Sequence, residues 1–211
     1  MTIKRAQPAI VMNKPYNQRS YSVPPSSIIM ALVMIGITAL FGALTIAYIY
    51  SRVDKGMESI KIPPLFIFNT LVLASSSYCI QRCRKYFNLK DERLILRWGF
   101  LTITATMLFL ALQGIAWSHL LSQQILPGTS GGHGYLFAIS ILHFMHVLVG
   151  VPFLLRILLP LYVSNREGNS ALYFLNEEQE TKLKHTAWYW HFIDVVWIYL
   201  MIFFLVSSFI P

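Results

Sequence analysis

The chain has 211 residues, 55% of them hydrophobic and 12% charged, about half the ~25% charged share of a soluble domain. With a mean hydropathy of +0.55, that balance excludes a disordered or nucleic-acid-binding tail protein and speaks against a soluble globule. The net charge of +8 comes from basic residues set between long apolar runs rather than gathered in a patch, and two cysteines are too few for a disulfide scaffold. The length suits a single integral membrane domain.

Residues 1–27 form a polar, basic tail. It lacks an apolar core and so does not read as a cleaved signal peptide. Pro24-Pro25-Ser26-Ser27 closes it with cap chemistry for a first helix. A bilayer core of ~30 Å is crossed by ~20 apolar residues in helical form. Ile28 to Tyr50 supplies 23 residues without a formal charge and predicts a helix over 28–50. Ile62 to Gln81 supplies 20 and predicts one over 63–82. Trp98 to Leu155 runs for 58 residues without Asp, Glu, Lys or Arg, broken at the polar, Gly-rich stretch Ser118 to Gly134, and predicts helices over 95–120 and 134–162. Pro152 and Pro160 lie inside the latter, where neighbouring helices can cover the freed carbonyls, so a kink is expected rather than a break. Thr186 to Pro211 carries Asp194 as its one charge and predicts a fifth helix over 186–209.

The expected fold class is therefore an all-α integral membrane protein, a bundle of five transmembrane helices over residues 28–211. Continuous rather than alternating runs exclude a β-barrel, whose strands are ~10 residues. Fourteen of the 17 Lys and Arg fall in the tail and the second and fourth connections, against Arg52, Lys55 and Lys61 on the other side. This asymmetry predicts a cytoplasmic N-terminus and an outer C-terminus.

Polar groups inside a bilayer are costly and mark function or assembly. Asp194 is the one acid within a predicted span, and His191 lies three residues earlier on the same helix face. The pair admits two readings: a proton-handling or partner-contacting acid, or a His–Asp pair that satisfies itself between packed helices. His143 and His146 share a face of the fourth helix and could ligate a metal or a haem iron. His146 lies near the midplane, however, and His191 roughly 10 Å shallower. His119 and His133 flank the outer loop, and His185 lies in the inner one. The histidines do not converge, so helix-to-helix hydrogen bonding is the expected role of His143 and His146, with no metal or cofactor held by this chain alone.

Cys79 and Cys83 lack the further ligands a zinc site needs. Ser75-Ser76-Ser77 reads as small-residue packing against a neighbouring helix. Gly131-Gly132-His133-Gly134 is a loop-to-helix junction without the lysine of a phosphate cradle. Trp188, Tyr189 and Trp190 read as an interfacial, lipid-contacting belt, with Trp197 and Tyr199 deeper, against helices or lipid.

Ala187-Trp188-Tyr189-Trp190-His191-Phe192-Ile193-Asp194-Val195-Val196-Trp197 closely resembles the last-helix signature of subunit III of haem–copper cytochrome oxidases. Ile62-Pro63-Pro64-Leu65 with Asn69-Thr70 and Ser75-Ser76 is similar to that family's proline-led helix. Gln113 is similar to a residue of the next helix, and Gly134-Tyr135 through His143-Phe144-Met145-His146 to Gly150 resembles its paired-histidine helix. The resemblance runs over residues 28 to 210. The chain looks like the short form, lacking two N-terminal helices of the seven-helix type. It also departs from the family at three acids: Met34-Ile35-Gly36-Ile37-Thr38 has no buried glutamate, Gln113-Gly114-Ile115-Ala116-Trp117 is uncharged, and Lys184-His185-Thr186 stands where a carboxylate often precedes the Trp-Tyr-Trp run.

The resemblance implies an accessory, non-redox subunit of a proton-pumping terminal oxidase in a bacterial inner membrane. Haem and copper would be carried by partner subunits I and II. The chain would stabilise subunit I, hold phospholipid in a cleft and support proton uptake. A subunit III-like component of a quinol oxidase or nitric oxide reductase system fits the same residues. A free-standing b-type cytochrome using His143 or His146 is a different class, and a transporter would need an internal repeat that the sequence lacks.

Overall fold

The computed structural model describes residues 25–57, 60, 62–123, 131–168, 174 and 177–209. Most of the predicted tail, including Lys4, Arg5, Lys14 and Arg19, lies outside them, as do Lys61 and the loop 124–130. Five helices follow in order: α1 (Pro25–Lys55), α2 (Pro64–Asn88), α3 (Glu92–Ser122), α4 (Gly131–Arg166) and α5 (Glu177–Phe209), with no strand among the described residues.

Each predicted helix is present and longer than expected. The apolar runs stop at the first charges, whereas the helices continue through them, because Glu, Gln, Lys and Arg are good helix formers outside a membrane. The effect is largest in α5, which begins at Glu177 rather than at 186 and carries the Glu178–Lys182 pair at 2.9 Å on its first turns. That lysine's hydrogen bond and charge hold the Glu178 carboxyl below its ordinary range.

Local chemistry sets the ends. Pro63 caps α2 in an extended conformation and Pro64 opens it, where a missing N–H costs nothing. The α2–α3 turn is tight. Lys90 takes a φ of 56°, and the Asp91 carboxylate accepts the Leu94 N–H at 3.1 Å as N-cap of α3. This short connection lays α2 and α3 side by side, the pair with the most extensive contact. Helix α4 passes through Pro152 and Pro160 without a break, as expected for prolines sheltered by neighbours.

Helices α1, α3, α4 and α5 are long and apolar enough to cross a membrane. At 25 residues α2 reaches ~37 Å, and it buries Asn69 and Ser76 among apolar side chains such as Phe66, Leu73 and Ile80 against the bundle. Large apolar side chains such as Leu32, Ile46, Val53, Phe100 and Ile202 cover the outside, the distribution of a lipid-facing surface. Inside, one cluster joins Phe41, Phe66, Phe109, Ile139, Trp197 and Phe204. A second, toward the end bearing most of the Lys and Arg (the basic end), joins Ile80, Cys83, Ile95, Leu154, Leu161 and Trp190. Helix α1 packs on α4 and α5 alone among pairs with substantial contact. Polar ties pin it, among them Ser27 Oγ to His185 Nε2 at 2.9 Å, Thr45 Oγ1 to Tyr199 OH at 2.9 Å, and Ser51 Oγ to Tyr135 OH at 2.8 Å.

Candidate functional site

The polar interior is built where α2, α4 and α5 meet. Gly150 on α4 permits the approach: a Cβ there would lie 3.1 Å from the Trp190 ring and 3.2 Å from that of Tyr189. Tyr189 turns its hydroxyl to α4 and donates to the His146 carbonyl at 2.9 Å. Trp190 turns its indole N–H to α2 and donates to Ser76 Oγ at 3.1 Å. The neighbouring Ser77 hydroxyl lies 2.6 Å from His191 Nδ1 and also interacts with the Asp194 carboxyl. His191 and Asp194 therefore meet through a serine of α2 and not through a bond to each other. His191 is half-buried and feels the charge of Arg84 at the basic end, while Asp194 is 5% exposed. Its Oδ2 has no hydrogen-bond partner. A cavity of about 10 Å³ adjoins it, lined by Leu73, Val147, Gly150, Tyr189, Trp190 and Ile193.

His143 and His146 stand apart from this group. His143 is buried between Phe41, Phe109 and Trp197, its ring centroid 4.7 Å from that of Trp197, and neither ring nitrogen has a hydrogen-bond partner. His146 uses Nδ1 on the Leu142 carbonyl of its own helix at 2.7 Å and packs on Phe41 at 5.6 Å. The expected hydrogen bonds from these histidines to neighbouring helices are thus replaced by ring contacts. Polar bonding between helices falls instead to Asn69, whose Nδ2 donates to Gln113 Oε1 at 2.9 Å, and to Trp197, whose indole donates to Thr70 Oγ1 at 3.0 Å.

Two sequence expectations are corrected here. The aromatic belt is split: Trp188 is 45% exposed, but Tyr189 and Trp190 are buried, while Trp197 packs against helices. Successive helical residues point ~100° apart, so one run of aromatics serves both the outside and two neighbouring helices. The serine run is also more than small-residue packing, since Ser76 and Ser77 are hydrogen-bond partners of Trp190 and His191. Two arrangements were not legible beforehand. Asn69 and Gln113 sit in different helices, and nothing in either run names the other. Arg52, counted as a loop charge, reaches back to Ser207, whose carbonyl lies 2.5 Å and hydroxyl 2.8 Å from its Nη1, with Tyr48 OH on the same hydroxyl at 2.8 Å.

Cys79 and Cys83 are free thiols, the latter buried against the Ile95 carbonyl. Among the described residues no three His, Cys, Asp or Glu side chains group as metal ligands. Among the described residues the fold is all-helical, with four helices long and apolar enough to cross a membrane and hydrogen-bonded polar side chains between the helices.

The chain belongs to the cytochrome c oxidase subunit III family, whose model matches residues 29–208. It is similar to the "Probable quinol oxidase subunit 3" of Staphylococcus haemolyticus, 27% identical over 137 residues, covering 65% of this chain and 64% of that protein. Proteins of the same name from Staphylococcus saprophyticus and Staphylococcus aureus are 26% and 25% identical over the same shares. The chain spans about two thirds of the length of these curated relatives.

Proposed function

We propose that this chain is the non-redox third subunit of a proton-pumping haem–copper respiratory oxidase in a bacterial cytoplasmic membrane. The observation that carries the reading is the family match over almost the whole described bundle. All five helices cross the membrane, α2 with Asn69 and Ser76 turned inward, and the basic end is cytoplasmic. Subunits I and II hold the haem and copper and carry out oxygen reduction; this chain packs against subunit I and supports sustained proton uptake. The names of the staphylococcal relatives favour quinol over cytochrome c as electron donor. His191, Asp194, His143 and His146 serve as interior contacts that hold the helices in register.

The test is sustained turnover of the purified oxidase with and without this chain. The initial rate of oxygen consumption is expected to be similar in both, and the rate without the chain to decay sooner. Equal decay contradicts the reading.

The groove between α1, α4 and α5 supports the lipid role. It encloses about 580 Å³, with Ile29, Val33, Ile37, Val149 and Phe153 along its length and Arg156, Lys182 and His185 at its basic mouth. That pattern suits an acyl chain below a phosphate headgroup. Replacing Arg156 and Lys182 by alanine is expected to lower the phospholipid retained with the complex in native mass spectrometry. Unchanged lipid content rules this groove out as the site.

A further inference from the structure

Asp194 has the surroundings of a group that must hold a proton yet can exchange it. No cation pairs with it among the described residues, and a lone carboxylate withdrawn from water is heavily disfavoured. The Ser77 hydroxyl lies 2.6 Å from His191 Nδ1 and interacts with the Asp194 carboxyl. His191 is half-buried and lies about one helical turn before Asp194, between the acid and the basic end. Asp194 also lines a cavity of about 10 Å³, about the volume one water occupies, and its Oδ2 has no hydrogen-bond partner.

We propose that His191, Ser77 and Asp194 form a buried proton-exchange site, with His191 as its door to the basic end of the bundle. On loading, His191 Nε2 takes a proton from water at that end while Nδ1 gives its own to Ser77 Oγ. The serine hydroxyl passes its proton to the Asp194 carboxylate. His191 ends as its other neutral tautomer, Ser77 is unchanged, and Asp194 has become a neutral acid. Unloading is the same sequence reversed. The water-sized cavity that Asp194 lines lets the acid turn its O–H away from the serine without losing every hydrogen bond. The proposal goes beyond the oxidase reading.

The experiment is infrared spectroscopy of the full chain in its native complex, transferred from H2O to D2O. The C=O band of a protonated buried carboxyl is assigned by its loss in Asp194→Asn. In the wild type the band is expected to take its deuterium shift readily. Ser77→Ala is expected to slow the exchange by about a hundredfold, the weight of one positioned proton-transfer group. Ser77→Thr keeps the hydroxyl and restores the rate. His191→Asn keeps a hydrogen-bonding side chain but cannot relay a proton, so it slows exchange without depending on the fold of Ser77→Ala. Exchange at the wild-type rate in Ser77→Ala or His191→Asn overturns the proposal. So does a wild type with no protonated carboxyl band assignable to Asp194.

Discussion

Trp197→Ala is expected to cost about 3–5 kcal/mol, the largest stability loss from a single substitution in this bundle. Trp197 is 0% exposed. Its ring stacks on Phe66 at 6.0 Å and 14°, meets Phe109 edge-on at 5.3 Å and covers His143 at 4.7 Å. Its N–H donates to Thr70. One side chain thus joins α2, α3, α4 and α5. In a membrane the hydrophobic effect does little between helices and packing contacts do more, so a hole at this junction removes attraction that lipid cannot replace. Trp197→Phe keeps most of the ring area and gives up the hydrogen bond, a loss of about 1 kcal/mol. Detergent-solubilised unfolding of the two variants measures both. A loss below about 1 kcal/mol for Trp197→Ala means that the four helices are held elsewhere.

Asp194→Ala is expected to have the largest effect on function. It leaves a gap beside the cavity and takes a partner from Ser77, an uncompensated loss of about 1–3 kcal/mol. Less subunit is then recovered with the oxidase, and oxygen consumption is sustained for a shorter time. Asp194→Leu separates structure from chemistry. An apolar side chain of similar volume often restores stability where a buried polar group stood, so assembly is expected to recover toward wild type while sustained turnover remains impaired. Wild-type recovery and wild-type sustained oxygen consumption in Asp194→Ala contradict an interior role for the acid.

The bundle was readable from the chain because its physics is local. A charge-free run of ~20 residues has few alternatives to a membrane-crossing helix, and all five runs are helices. Their ends were misplaced because charge stops the hydropathy signal but not the backbone, most visibly from Glu177 through His185. Asp194 and His191 stood out as polar groups in an apolar run, and their shared face follows from helical spacing. The Ser77 link did not, since it depends on the rotation of α2 against α5, fixed in part by Gly150 and by the bond from Trp190 to Ser76. His143 and His146 were equally visible, yet they settled among rings because Phe41, Phe109 and Trp197 come from three other helices. Tyr189 and Trp190 looked interfacial for the same reason: a one-dimensional cluster does not say which of its members faces lipid.

The most direct test of the oxidase reading is purification of this chain from its native membrane in mild detergent, with its bound proteins identified by mass spectrometry. A large multi-helix partner carrying haem and copper is the expected result, and the electron-entry subunit that accompanies it distinguishes quinol from cytochrome c as donor. A chain that emerges alone and still coloured by haem contradicts the reading, and makes His143 and His146 candidate iron ligands.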